Sequence, residues 1–411
     1  MGQVQGWVAP GFERVRRTIE AMPAPWARGG GSLAACVGGR LVVDLWGGQA
    51  RPGLGWQEHT LACVASVTKS WAAIIIERLV EQGLLDHTSP VSTWWPEFAA
   101  NGKDQVTLHQ LFTHSSGVLG FTGAREFLDA DGCKGWQDLD GIAAHLAASA
   151  PSWTPGTRNG YHAISYGWLL NELVRRVSGR TIGELFDRDV SRPLDLDLHL
   201  GTSIADQQRV AFPMSADPGK GPWLQRRLLS YARRKGSDPH TLIGRALLGD
   251  GSTTILDRAP AYIKTPAWLE AEVPASNGTA SARSLARLFA MLAGGGKLDG
   301  VRILEPATID IMREARGRAV DSVMSEPVPA LLRPLLPKTT MTYGLFPNRK
   351  LRGRLQLGPN PASFASMGFG GQLAMGDPDA QLSLASLMTD FTPGVDAALQ
   401  QAALAALYAC L

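Results

Sequence analysis

The chain has 411 residues, 45% of them hydrophobic, which is enough apolar mass for a large buried core in one domain or two lobes. Lysine and arginine number 40 against 37 aspartates and glutamates, a formal net charge of +3 with no long single-sign block, and that argues against nucleic acid as the main partner. No segment reaches the roughly 18 consecutive apolar residues of a membrane span and the N-terminus has no apolar export core, so the expectation is a soluble, cytoplasmic protein without stable membrane insertion.

In chain order, "GFERVRRTIEAM" (Gly11 to Met22) has helical spacing, and "GGGSLAACVGGRLVVDLWGG" reads as a hairpin of two strands joined at Gly38-Gly39. A third strand around His59 to Val64 delivers the chain to "ASVTKSW" (Ala65 to Trp71), and an apolar helix follows to about Leu85. From Pro90 to Leu292 the pattern is mostly helical, with "VTLHQLFTHSSGV", "DGIAAHLAAS", "YGWLLNELVRRVSG" and "ARSLARLFAMLAGGG" as the clearest pieces. Strands return in "GGQLAMGDP" and "AQLSLASLMTD", a closing hairpin turned at Asp377-Pro378, before a terminal amphipathic helix in "GVDAALQQAALAALYACL". This is an insertion pattern within a single domain. It predicts an α/β (α+β) fold in which an antiparallel sheet is flanked by N- and C-terminal helices and a mainly α-helical lobe is inserted. The α/β lobe covers approximately 1–89 and 293–411, and the helical lobe approximately 90–292.

Ser66 and Lys69 lie three residues apart at a helix start, so hydroxyl and amine share a face, which suits a nucleophile with its base. The helix N-terminus also favours developing negative charge at Ser66. Lys69 is the only lysine with a serine three residues before it. No G-x-S-x-G elbow is present, and His109 and His114 do not have the spacing of a metal pair on one helical face. Cys36, Cys63, Cys133 and Cys410 lack CxxC spacing and read as reduced, structural thiols. Neither metal nor cofactor is expected. The basic stretch "WLQRRLLSYARRKG" (Trp223 to Gly236) reads as a solvated helix face, with a lid or lipid-touching surface as the alternative.

Three stretches, "SVTKS", "LVEQGLLDHTSPVSTWWPEF" and "VTLHQLFTHSSGV", resemble the serine β-lactamase and penicillin-binding-protein superfamily, and specifically its class C β-lactamase-like hydrolases and carboxylesterases. "WTPGTRNGYHAISYGWLLNELVRRVSG", "NGTASARSLARLFAMLAGGGKLDGVRIL" and "FASMGFGGQLAMGDP" follow in the family's order, while Pro213 to Ala275 carries no recognised motif. The resemblance implies a β-lactamase/transpeptidase-like fold, Ser66 as the acyl-accepting nucleophile and Lys69 as its base. Tyr161 falls on the tyrosine of the Y-x-N element as proton carrier, with Ala163 in place of the polar third residue and Tyr166 as a rival. The K-T-G element falls on Ser366-Met367-Gly368, where serine replaces the basic residue. Gly368 then lets the strand approach the acyl group, and the backbone N–H groups of Ser66 and Phe369 form the oxyanion hole. Trp153 and Trp223 are candidates for an acyl pocket, and a cation from "NRKLRGR" (Asn348 to Arg354) is the alternative source of the missing charge.

These residues imply a carboxylesterase of neutral, short-to-medium acyl esters with poor β-lactam cleavage, its partner a small-molecule ester. Two alternatives stay open: an acyltransferase or D-peptide-acting hydrolase with the same machinery, and a catalytically weak penicillin-binding-like sensor or scaffold. Oligomeric state is not legible.

Overall fold

The structure is a computed structural model that describes residues 4–22, 26, 29–214, 223–348, 357–390 and 397–411, with the backbone alone for 223–229. Its main sheet is antiparallel and is built from β1 (Gln5–Val8), β2 (Gly30–Val37), β3 (Arg40–Arg51), β4 (Phe346–Pro347), β5 (Phe364–Gly368), β6 (Gln372–Asp377) and β7 (Leu382–Met388). The spatial order is β1-β3-β2-β7-β6-β5-β4, with Leu54–Gly55 pairing on β3. The principal helices are α1 (Glu13–Glu20), α2 (Thr68–Glu81), α3 (Ser165–Ser178), α4 (Trp223–Ser237), α5 (Ala282–Ala293) and α6 (Ala398–Tyr408).

Both expected hairpins form. β2 and β3 meet across Gly38 and Gly39, both with positive φ. β6 and β7 meet after Asp377, whose Oδ1 accepts the N–H groups of Asp379 and Ala380 at 3.0 and 3.1 Å. Side-chain alternation then assigns the two faces of the sheet. On β2, Ala34 and Cys36 join the core that contains Leu285, Leu288 and Phe289 of α5, while Leu33 and Ala35 join the core of Val15 and Ile19 (α1) with Leu399, Leu404 and Leu407 (α6). Covering both faces buries β6 and β7 along their whole length, so these strands read as apolar runs.

Two boundaries differ from expectation. The strand expected around His59 to Val64 is only Ala62–Cys63, and it pairs with Thr279–Ala280 in a separate three-stranded sheet completed by Leu198–His199. A partner that distant in sequence leaves no local signal. The helix expected to reach Leu85 ends at Glu81, because Gly83 adopts φ +70° and the chain closes with Gly83 N–H to Val80 O (2.9 Å) and Leu84 N–H to Leu79 O (2.9 Å). That pairing is a Schellman cap, available to glycine at no steric cost.

Helix α2 is buried nearly all round from Thr68 to Glu77, which places it inside the molecule as the element on which the site is built. The four cysteines are unpaired, and Cys36 and Cys63 are buried. Among the described residues no helix is long and apolar enough to cross a membrane, and no group of three His, Cys, Asp or Glu side chains converges as a metal site would require.

Candidate active site

Ser66 sits on a 3-10 turn, Ala65–Val67, rather than on the α-helix proper. Ala65 takes φ +47°, a left-handed conformation that costs a non-glycine residue about 1 kcal/mol and turns the chain sharply before Ser66. The turn is braced on both sides. Val64 N–H reaches Gly278 O at 2.8 Å, and Thr68 Oγ1 donates to Ala65 O (2.6 Å) while accepting Gly278 N–H (3.0 Å).

One helical turn on, Lys69 Nζ lies 3.3 Å from Ser66 Oγ and 2.8 Å from each of the carbonyl oxygens of Ala163 and Ala275. The side chain is buried and carries no ion pair among the described residues, so desolvation holds its pKa well below the ordinary lysine value. Tyr161 OH donates to Ser66 Oγ at 2.8 Å, and its ring centre is 4.8 Å from Lys69 Nζ. Burial raises the Tyr161 phenol to about 12, keeping it protonated, with the Ser66 hydrogen bond working the other way.

The polar partner missing at Ala163 is therefore supplied by the backbone oxygen of the same residue. The second carbonyl arrives because α3 has a glycine where it meets the 274–275 turn: a Cβ on Gly167 would lie 2.4 Å from Ala275 N. Asn277 shapes that turn, its Oδ1 accepting Val273 N–H (2.9 Å) and its Nδ2 donating to Trp268 O and Ala271 O (2.9 and 2.8 Å).

Strand β5 runs beside the Ala65–Val67 turn. A Cβ on Gly368 would meet Val64 O at 2.4 Å, so only glycine permits this approach, and Phe369 follows directly. Ser366 is buried and lines the cavity at Ser66, and Met367, 44% exposed, lines it too. The cavity is narrow, about 50 Å³, walled by Phe112, Tyr166, Met341 and Phe346. Tyr166 is a buried wall residue whose ring centre lies 5.9 Å from Lys69 Nζ.

Trp153 does not line this cavity. It is buried beneath the Tyr161 loop, its indole N–H bonded to Ser115 O at 3.1 Å, where it packs on Gly160. His109 bonds Tyr343 OH through Nδ1 at 2.7 Å, away from Ser66. The side chain of Trp223 and the charged residues of "NRKLRGR" after Asn348 lie outside the described residues.

Two wall residues escaped the sequence reading. His114, with φ +55°, accepts His162 N–H on Nδ1 (3.3 Å) and sets its ring edge-on to Tyr161 at 5.1 Å. Burial, then the neighbouring His162 and Lys69, hold it well below the ordinary histidine pKa. Asp321 also lines the cavity, and its Oδ1 accepts the N–H groups of Tyr161 (3.2 Å), Val323 (2.9 Å) and Met324 (2.8 Å). Burial raises its pKa above the usual carboxylate value. His114 was visible in "LFTHSSG", but nothing local to Asp321 links it to Tyr161.

The family described as Beta-lactamase matches residues 15–409 of the chain. The chain is 32% identical over 392 residues to the esterase/beta-lactamase LipL of Mycobacterium tuberculosis, an alignment that covers 93% of this chain and 82% of that protein. Among solved structures it superimposes over 100% of both chains on a penicillin-binding-protein homologue from Caulobacter crescentus (TM-score 0.79, 32% identity) and on a family VIII carboxylesterase (TM-score 0.78, 29% identity). Sequence match and superposition run nearly end to end, through the S-x-x-K turn and the strand that carries Gly368, and the chain accordingly belongs to the Beta-lactamase family.

Proposed function

We propose that the chain is a serine carboxylesterase that hydrolyses neutral, short-to-medium acyl esters through an acyl-enzyme on Ser66. The observation that carries this reading is the position of Ser66 Oγ between Lys69 Nζ (3.3 Å) and Tyr161 OH (2.8 Å), with Lys69 tied to two carbonyls. A neutral amine has two N–H bonds and one lone pair. Ala163 O and Ala275 O take the two N–H bonds, which leaves the lone pair for the Ser66 proton. Ser66 then attacks the ester carbonyl, Lys69 takes the proton, and Tyr161 passes a proton to the departing alkoxide. Water reverses the sequence and releases the acid. The backbone N–H groups of Ser66 and Phe369 are assigned to the oxyanion, a role worth about 10²–10³ in rate per donor.

Ser66 and Lys69 come from the stretch 1–89, whereas Tyr161, Ala163 and Ala275 come from 90–292, so we read these stretches as lobes of one domain with the substrate between them. The preference for neutral esters is supported by the walls: among the described lining residues Lys69 is the only lysine or arginine, its amine is the neutral base of the mechanism, and Asp321 opposes an anionic substrate. The narrow cavity favours small acyl groups. A second reading, β-lactam cleavage as well, is favoured by the similarity to LipL, which is named for both activities.

A fluorophosphonate should add its mass to the peptide containing Ser66, and Ser66→Ala should lose label and hydrolysis together; a label on another serine would overturn the mechanism. The ratio of kcat/KM for p-nitrophenyl butyrate to that for nitrocefin decides between the readings. An equal or better value for nitrocefin removes the neutral-ester preference.

A further inference from the structure

The segment "DSVMSEPVPALLRPLLPK" (Asp321 to Lys338) leaves the catalytic cavity at Asp321 and returns to it at Thr339. Between these ends lies a single 3-10 turn, Ala330–Leu335, on which Leu331 is 88%, Leu335 81% and Leu332 48% exposed. A lone exposed leucine on a protein surface is ordinary. Three within five residues on the arm that borders a catalytic mouth form a concentrated apolar patch, and Met324 on the same arm is 53% exposed.

The exposure is built in. Pro327, Pro329, Pro334 and Pro337 fix the backbone, and the Arg333 guanidinium clamps the arm by donating to Val328 O and Glu326 O, both at 2.9 Å. The two acids of the segment are turned inward: Asp321 accepts three backbone N–H groups, and Glu326 Oε2 accepts Ile243 N–H at 2.8 Å. From Pro327 to Lys338 the chain therefore offers leucine, proline and the two cations Arg333 and Lys338, with no acid. The short helix Leu242–Ala246 that holds Glu326 packs on α4, where Arg234 is exposed and Arg233 is paired with Asp257 at 2.8 Å. Apolar, cationic and poor in hydrogen-bond donors, this surface matches a negatively charged lipid interface better than a protein surface, which would present directional polar groups for the arm to answer.

We propose that the turn Ala330–Leu335 is an interfacial anchor, by which the protein docks on an anionic lipid surface with its catalytic mouth facing the substrate-bearing layer. The consequence for substrate supply rests on the ester-hydrolase reading; the docking itself does not.

Flotation of the full chain with vesicles of equal parts phosphatidylcholine and phosphatidylglycerol, beside vesicles of phosphatidylcholine alone, tests it. The protein should float with the mixed vesicles, less with the neutral ones, and progressively less as salt is raised. Leu331→Ser combined with Leu335→Ser should lower partitioning by about tenfold or more while leaving hydrolysis of a soluble acetyl ester unchanged. Lys338→Gln should weaken flotation with the mixed vesicles alone. Ser66→Ala should float like the parent, which separates failure of docking from failure of the catalytic reading. The proposal is overturned if the parent stays in the lipid-free fraction, if the double-leucine variant floats as well as the parent, or if sedimentation shows the leucines holding two copies together instead.

Discussion

The catalytic nucleus and its rim are built on opposite plans. Around Ser66 and Lys69 the positioning groups are backbone atoms: the carbonyls of Ala163 and Ala275, the Gly278 peptide and the close approach of Gly368. The rim formed by Asp321, Thr339 to Thr342 and Ser366 relies on side chains, one of them a buried carboxylate. Backbone donors and acceptors do not change with the side chain that carries them, so a nucleus of this kind tolerates the loss of a polar residue at Ala163. The rim offers no such protection, and on the proposed reading substrate choice follows its side chains.

The sharpest way to break this contrast is at Lys69. Lys69→Met strands two buried carbonyls and removes the base, and kcat should fall about 10⁴-fold, read by steady-state hydrolysis of p-nitrophenyl butyrate. In the parent, kcat/KM should decline as pH falls through the depressed lysine pKa, because only the neutral amine accepts the Ser66 proton; a profile flat through that limb would remove Lys69 as base. Next in size is Tyr161→Phe, expected to cost about 10³-fold, against less than about tenfold for Tyr166→Phe. The reverse order would move the proton carrier to the cavity wall.

Gly368→Ala probes the backbone plan directly. The added Cβ would meet Val64 O at 2.4 Å and push β5 away from the nucleophile turn, which should cost about 10²-fold in kcat while circular dichroism and Tm stay close to the parent. An alanine variant of full activity would show that the close approach is dispensable.

The smallest effect is on stability. Glu77, buried on α2, has Oε1 3.1 Å from His87 Nε2, a contact out of hydrogen-bonding alignment, and neither atom has a hydrogen-bond partner among the described residues. Burial first, opposed by Arg316 and reinforced by Glu81, raises the Glu77 carboxyl from 4.5 to about 8, while burial lowers His87 from 6.5, so a protonated Glu77 facing a neutral imidazole is the form the fold selects. The folded chain binds more protons at Glu77 than the unfolded chain does, so its contribution is complete below pH 4.5 and is lost as pH rises through 8. His87 works in the opposite direction below pH 6.5, leaving 6.5 to 8 as the clean window. There the parent should lose about 2 kcal/mol more unfolding free energy than Glu77→Gln, measured by urea melts. Parallel pH curves for the two proteins would refute the assignment.

Ser66 and Lys69 were legible as a pair because they lie one turn apart, and the family resemblance around them singled that pair out. Tyr161, distant in sequence, became visible through family resemblance, and the two hairpins through their turn residues. The carbonyls that hold Lys69 were not legible, because a backbone acceptor has no residue type to betray it. Trp153 misled for a related reason: its neighbourhood to Tyr161 in sequence is real, but the loop folds the indole under the tyrosine toward Ser115. The arm at Asp321 could not be tied to the site without the fold that brings it to Tyr161.

The order of the main sheet also has a consequence for how the chain is made. β2 pairs on one side with β3, a few residues away, and on the other with β7, far on in the sequence, with Gly31 opposite Met388. During synthesis at roughly 5–20 residues per second, the open edge of β2 waits tens of seconds for its second neighbour. Over that interval an apolar strand edge is available to any other nascent chain. Folding of the sheet is thereby delayed until β7 emerges, and the yield of soluble protein should depend on how well the cell shields that edge over the interval.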